Sequence, residues 1–178
     1  MKNKVRNLAI KKHKEAKTLY DGMGYHVHLD KVHSVGKELF GNSIIWGNLE
    51  DLLYLHDTKE DTEITDEEIL SVTNPMVLQW VNLLTDKEGD NREERHLNTY
   101  CLLRESQEAV CGKLCDRIAN IRYSIETKNI SKMSMYLKEG KSFKFALYDK
   151  RHTLAKKGWD VYNKEIKNLI KNIKKKNN

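Results

Sequence analysis

The sequence predicts an all-α fold in one domain of ordinary size, and three observations carry that expectation. One proline and nine glycines in 178 residues are too little turn chemistry for an all-β protein, and no stretch has linker composition. Apolar residues recur at spacings of three and four rather than alternating. Most of these runs are bracketed by residues that start or stop helices. With 39% hydrophobic and 33% charged residues, the chain has the composition of a domain with a core of its own.

Taken in order, residues 3–20 set Val5, Leu8, Ala9, Ala16 and Leu19 among lysines, an amphipathic helix with a cationic outer face. Asp21-Gly22-Met23-Gly24 breaks it. Leu29, Val32, Val35, Leu39 and Phe40 form a second helix, stopped by Gly41-Asn42. A third runs from about Leu49 through Leu52, Leu53 and Leu55 to His56-Asp57. Thr65-Asp66-Glu67-Glu68 opens a short acidic helix ending near Leu70. Asn74-Pro75 opens the next, with Val77, Leu78, Val81 and Leu84. Residues 91–105 and 107–127 are two longer helices, the second striped by Val110, Leu114, Ile118 and Ile121. The single domain spans 1–178: a core over about 3–127, C-terminal helices over about 130–173, and a polar tail, 174–178, expected to fray.

Charge and cysteine usage narrow the function class. Residues 1–17 hold seven Lys and Arg against Glu15, a net +6; residues 160–178 hold six Lys against Asp160 and Glu165, a net +4. With +6 overall, 18–159 sums to −4, so the body lacks the general basic surface of a dedicated nucleic-acid binder. No run approaches the roughly 18 apolar residues of a membrane span, and the lysine-rich start has no apolar stretch of a secretory signal. Cys101, Cys111 and Cys115, an odd number without a Cys-x-x-Cys pair, read as free thiols of a cytoplasmic protein. Cys111 and Cys115 stand one helical turn apart; core packing is favoured over a shared metal.

The chemistry concentrates after the third helix. There the apolar run Leu52-Leu53-Tyr54-Leu55 ends in His56-Asp57, followed by Glu60-Asp61. Burying such a group without a job is costly. One further turn of helix sets His56 above Glu60 and Asp57 above Asp61, and three carboxylates gathered together need a cation. The competing reading is a solvated acidic connector over 57–63. Upstream, His26, His28 and His33 are each candidates for a nitrogen ligand beside a cap or surface role. Downstream, Lys113, Asp116 and Asn120 share a face of the 107–127 helix distinct from its apolar stripe; a surface salt bridge of Asp116 with Lys113 or Arg117 is the bland alternative.

Together these residues resemble a known family. His28, then His56-Asp57, then Asp116 follow the order and separation of the H…HD…D signature of the HD phosphohydrolase superfamily. Closer likeness is to its RelA/SpoT-type branch, the small alarmone hydrolases. The matching pieces are Tyr25-x-x-His28, Leu55-His56-Asp57-x-x-Glu60-Asp61-Thr62, Leu84-Thr85-Asp86 and Lys113-Leu114-x-Asp116-Arg117-Ile118-Ala119-Asn120. Some relatives also share Asn91-Arg92-x-Glu94-Arg95 with Thr99-Tyr100, and a late Met135-Tyr136 followed by a block reading here Phe143-Lys144-Phe145-Ala146-Leu147-Tyr148.

The resemblance implies an HD-type helical domain with one divalent ion, Mn²⁺ in the family, held in the helical core by His28, His56, Asp57 and Asp116. Mixed nitrogen and oxygen donors suit such an ion better than a closed zinc site. It implies Glu60 and Asp61 as the catalytic acidic pair that handles a proton. Substrate contacts are expected at Lys17, Arg92, Arg95, Lys113 and Asn120. The implied activity is hydrolysis of a phosphorylated nucleotide, best guessed as the 3′-pyrophosphate of guanosine tetraphosphate or pentaphosphate, without a synthetase domain. The chain departs from the family at His13-Lys14-Glu15-Ala16-Lys17-Thr18-Leu19-Tyr20, where His13 and Lys17 fit the guanine-contacting pattern and a Gln and second basic residue are missing. Another nucleotide is therefore an alternative substrate, and a nucleotide- or RNA-binding protein with a non-catalytic pocket is the alternative class. The expected partner is a small nucleotide rather than a membrane or nucleic acid, and the sequence says nothing of oligomeric state.

Overall fold

A computed structural model describes residues 4–176 as ten helices and one short hairpin. The elements are α1 (Lys4–Glu15), β1 (Leu19–Tyr20), β2 (Met23–Gly24), α2 (His26–Phe40), α3 (Trp46–Leu55), α4 (Thr58–Asp61), α5 (Asp66–Leu70), α6 (Pro75–Leu84), α7 (Arg92–Leu103), α8 (Gln107–Glu126), α9 (Ile130–Leu147) and α10 (Lys156–Lys176). The fold is all-α as expected. Among the described residues no helix is long and apolar enough to cross a membrane.

Several starts follow directly from the local sequence. Thr65 and Glu68 form a reciprocal capping box on α5. The side chains of Asn74, Asn91, Ser106 and Asn129 each accept a backbone N–H three residues on, opening α6, α7, α8 and α9. The helix expected over 3–20 is shorter. Its residue 3 lies outside the described residues, and it closes at Glu15 as Lys17 turns left-handed (φ 57°). Thr18 N–H then reaches back to His13 O at 3.0 Å and Lys17 N–H to Lys14 O at 3.1 Å, a Schellman closure. Leu19–Tyr20 instead pairs antiparallel with Met23–Gly24. Asp21 and Gly22, both with positive φ, are the two central residues of that turn. At the other end α10 is helical through Lys176; residues 177 and 178 lie outside the described residues.

α8 is the axis of the core, packed against α2, α3, α6, α9 and α10. Its stripe of Val110, Leu114, Ile118 and Ile121 is completely buried. Cys111 and Cys115 are buried beside it as core residues, and burial pushes both thiols up and keeps them neutral. α9 and α10 form a hairpin over one side, joined by contacts among Phe143, Trp159 and Tyr162. α2 and α3 approach closely at Gly36, where an added Cβ meets Leu53 Cδ1 at 2.1 Å. Leu53 is itself buried and cannot move aside without disturbing the core. Gly36→Ala is expected to destabilise the fold by about 1–3 kcal/mol through overpacking, read as a lower urea midpoint, whereas Gly47→Ala, which meets nothing within 4 Å, leaves it unchanged or raised.

Candidate metal centre

Three helices that pack on one another supply the centre. His28 lies in the first turn of α2, His56 at the C-terminal end of α3, Asp57 immediately before α4, and Asp116 midway along α8. The chain bends between α3 and α4 rather than continuing as one helix, with Asp57 near the bridge region (φ −103°, ψ −1°). His56 Nδ1 lies 2.9 Å from Leu53 O, and Thr58 Oγ1 donates to Leu55 O at 2.7 Å, so side chains satisfy the free carbonyls of the ending helix.

The four side chains converge. The Nε2 atoms of His28 and His56 face each other at 3.1 Å. Asp57 Oδ2 lies 2.9 Å from His56 Nε2 and 3.3 Å from His28 Nε2. Asp116 Oδ1 lies 3.4 Å from His28 Nε2 and 3.9 Å from His56 Nε2. One donor atom each from His28, His56 and Asp116 falls within 4.8 Å of the others. A carbonyl only accepts, so the contact to Leu53 O makes His56 Nδ1 the donor and leaves Nε2 with a lone pair in the neutral ring. His28 Nδ1 is buried with no hydrogen-bond partner. Two imidazole nitrogens and the Asp116 carboxylate gathered in this way, with Asp57 Oδ2 against both imidazoles, are a donor set that fits a divalent ion.

The electrostatics point the same way. Burial works against a charged His28, yet its hydrogen bonds to Asp116 and Asp57 prevail and raise it to about 9. His56 is raised against its own burial by the charge of Asp57. Burial alone pushes the two carboxyls up, but the surrounding imidazoles, with Lys113 beside Asp116, hold both below the usual range. The centre therefore calls for positive charge.

A layer of aromatic and polar groups holds the ligands. Tyr25 OH donates to Asp57 Oδ2 at 2.5 Å, and the buried His13 ring stacks on Tyr25 at 4.0 Å. The β1–β2 turn sets the Tyr20 ring over His28 at 4.7 Å, and Tyr20 OH donates to Asn120 Oδ1 at 3.0 Å. Asn120 Nδ2 donates to Asp116 Oδ1.

The centre opens into a cavity of about 220 Å³, lined also by Glu60, Asp86, Arg92, His96, Lys113 and Asn120. Of the expected substrate contacts, Arg92, Lys113 and Asn120 reach this cavity. Lys17 and Arg95 do not: Lys17 sits exposed at the closing turn of α1, and Arg95 lies on α7 outside the lining. Glu60 belongs to the lining and Asp61 does not. Glu60 Oε1 accepts from Asp86 N–H at 2.8 Å. Although the residue keeps an exposed flank, burial of its carboxyl raises it to about 7, with Lys113 opposing and Asp57 and Asp86 adding to the shift. His33 is elsewhere, 2.7 Å from Glu50 and stacked on Tyr54, and His26 is exposed.

Arg117 is a correction. Expected at the surface, it is buried, donating to Glu139 Oε2 at 2.6 Å and stacked over Phe143 and Tyr136. Glu139 also accepts from Arg92 at 2.9 Å, so one carboxylate steadies a cavity arginine against a buried one. The role of Tyr20 and of the Arg117–Glu139 pair was missed by sequence reasoning. Asp21-Gly22, a strong hairpin dipeptide, was the available signal for the first; nothing local signals the second.

No family model matches the chain, and no curated protein matches it. What the centre can do rests on its geometry.

Two outcomes are expected. Mn²⁺ at about 100 times its dissociation constant stabilises the fold by about 2.7 kcal/mol, raising Tm by about 5–10 °C, and Asp57→Asn or Asp116→Asn abolishes the shift in a thermal melt. Separately, burial pushes Glu139 up, but hydrogen bonds and charge from Arg92 and Arg117 outweigh it and bring the carboxyl down to about 2. A depressed carboxyl contributes stability that is full above its unfolded value of 4.5 and is lost as pH falls through 2. Urea titrations at pH 6 and pH 2.5 are expected to differ by roughly 2 kcal/mol more in the wild type than in Glu139→Gln, part of the full linkage being screened by water.

Proposed function

We propose that the chain is a divalent-metal-dependent phosphohydrolase of the HD type that acts on a phosphorylated nucleotide. The observation that carries this reading is the opening of the His28/His56/Asp57/Asp116 centre into a cavity that also presents Lys113, Arg92 and Glu60. That combination supplies, within one small space, ligands for a cation, positive charge for phosphate and a group able to handle a proton.

The four residues would hold Mn²⁺ as in the family the sequence resembles. Such an ion supplies Lewis acidity toward phosphoryl oxygens and makes a water nucleophilic near neutral pH. The chain's own residues do the rest. Tyr25 holds Asp57, and Asn120 holds Asp116, so neither carboxylate is free to rotate. Glu60, at about 7, can take and return a proton close to neutrality. Lys113 and Arg92 offset the charge of the phosphoryl oxygens, Arg92 being oriented by Glu139. Asn120 and Tyr20, already hydrogen-bonded to each other beside the centre, are polar contacts for a sugar. His96, neutral because burial and Arg92 depress it to about 4, adds no positive charge.

The substrate we favour is guanosine tetraphosphate or pentaphosphate, cleaved at the 3′-pyrophosphate to GDP or GTP. A different nucleotide is the second reading, and a specific observation favours it: Lys17, the basic residue of the guanine-contacting pattern that this chain retains, stands outside the cavity lining. A nucleotide- or RNA-binding protein with a silent pocket is the reading from another class; Glu60 beside the ligands weighs against it.

Release of pyrophosphate and phosphate from a nucleotide panel, with and without Mn²⁺, tests the proposal. The expected outcome is Mn²⁺-dependent pyrophosphate from guanosine tetraphosphate, abolished in Asp57→Ala and lowered about 10²–10⁴-fold in Glu60→Gln. Turnover of another nucleotide with the same two dependences keeps the mechanism and moves the substrate. No turnover of any nucleotide by Mn²⁺-loaded protein overturns the enzyme reading in favour of the binding protein.

A further inference from the structure

Away from the metal centre, the outer seam of the α9–α10 hairpin is an open apolar groove of about 740 Å³. The two helices run antiparallel: Tyr148 lies against Trp159, Lys144 against Asn163, and Gly140 faces Tyr162 and Ile166. Lining residues run from Leu137 to Tyr148 along α9 and its end, and from Tyr162 to Ile170 along α10. Eleven residues of helix span about 16 Å, or three turns. Phe145 stands at the rim with 88% of its surface exposed, and Tyr148 with 47%. No acidic side chain lines the groove, whereas Arg104, Lys141 and Lys144 do.

The charge around it is one-sided. Residues 130–176 hold fourteen Lys and Arg against four acidic residues, a net +10, leaving −4 for the rest of the chain. The positive charge of the C-terminal half thus belongs to the whole hairpin and not to its last residues. Three of the four acids are engaged inward: Glu139 with Arg92 and Arg117, Asp149 with Arg151 and Arg104, Glu165 with Arg122. Asp160 is the exposed one of the four. A second copy docking face to face would bring lysine against lysine, so charge disfavours self-association. Of the lining residues, Phe145, Tyr148 and Tyr162 could stack on bases, whereas Leu137, Ile166 and Ile170 suit the apolar stripe of a helix, and a flat bilayer would leave a concave groove unfilled.

We propose that this groove docks an acidic amphipathic helix of a partner protein, its apolar stripe seated between α9 and α10 against Phe145 and its carboxylates on Lys141, Lys144 and Arg104. Length, apolar lining and basic rim match the helix-in-groove mode of recognition, with anchors at i, i+4 and i+7.

The probe is a labelled peptide of about 18 residues, leucine at the anchor positions and glutamate at most others, long enough to cover the groove with a turn to spare. It is compared, by fluorescence anisotropy on the full chain, with a scrambled peptide of identical composition. Binding at least about ten-fold tighter for the amphipathic peptide is expected, a difference of 1.4 kcal/mol. Phe145→Ser and Lys141→Glu, both at exposed positions, are each expected to remove most of that preference, while Lys4→Glu on α1 leaves it intact. Equal binding of the two peptides, or a preference untouched by Phe145→Ser, overturns the proposal and leaves only unspecific attraction to a cationic surface. Failure of the peptide with Phe145-dependent binding of phosphatidylglycerol vesicles or a uridine oligonucleotide overturns it too, and reassigns the face to a membrane or to single-stranded nucleic acid.

Discussion

Two carboxylates with little exposure to water, Asp57 and Asp116, set against two imidazoles whose Nε2 atoms stand 3.1 Å apart, are the constraint around which this fold is organised. Negative charge with so little access to water is costly unless matched by positive charge and hydrogen bonds. Each neighbouring element contributes one such match. The end of α3 orients His56 through Leu53 O, the β1–β2 turn lays Tyr20 over His28, and Tyr25 binds Asp57. α2 and α3 pack closely at Gly36, and α8 carries Asp116 to the two histidines. Core packing and site geometry are thus one problem: the helices that bury the apolar stripe of α8 also converge on the ligands.

Around the centre the structure separates three kinds of work. Ligand donors are held by hydrogen bonds from Tyr25 and Asn120, which themselves line the cavity. Cavity residues are polar and of mixed sign, with Glu60 raised to about 7 where Lys113, Arg92 and Asn120 converge. Beyond them, Arg117 and Glu139 tie the cavity to the aromatic cluster of the C-terminal hairpin through Phe143 and Tyr136. The hairpin is therefore a wall of the site on its inner face, while its outer face carries the cationic groove. A partner seated there would lie one helix away from Arg92 and Glu139.

Much of the helical frame was legible. Thr65, Asn74, Asn91 and Ser106 announce helix starts through side chains that satisfy free N–H groups, a signal contained in four consecutive residues. The convergence of His28, His56, Asp57 and Asp116 was legible only through their likeness to a known spacing, since nothing local brings residues 28 and 116 together. Lys17 misled because lysine seldom adopts positive φ; the apolar pattern carried on through it while the backbone turned away. Arg117 misled because arginine is seldom buried, and its partner Glu139 lies a full helix later.

The sequence by itself determined the helical class, most helix starts, the burial of the α8 stripe and the types of side chain able to hold a cation. These depend on periodicity and on contacts a few residues apart. The tertiary structure decided which carboxylates face which imidazoles, that Glu60 enters the cavity while Asp61, Lys17 and Arg95 stay outside its lining, and that the hairpin's positive charge surrounds an apolar groove. The physical reason is reach: hydrogen bonds and caps act within a turn of helix, whereas the field at a buried group is summed over every element packed against it.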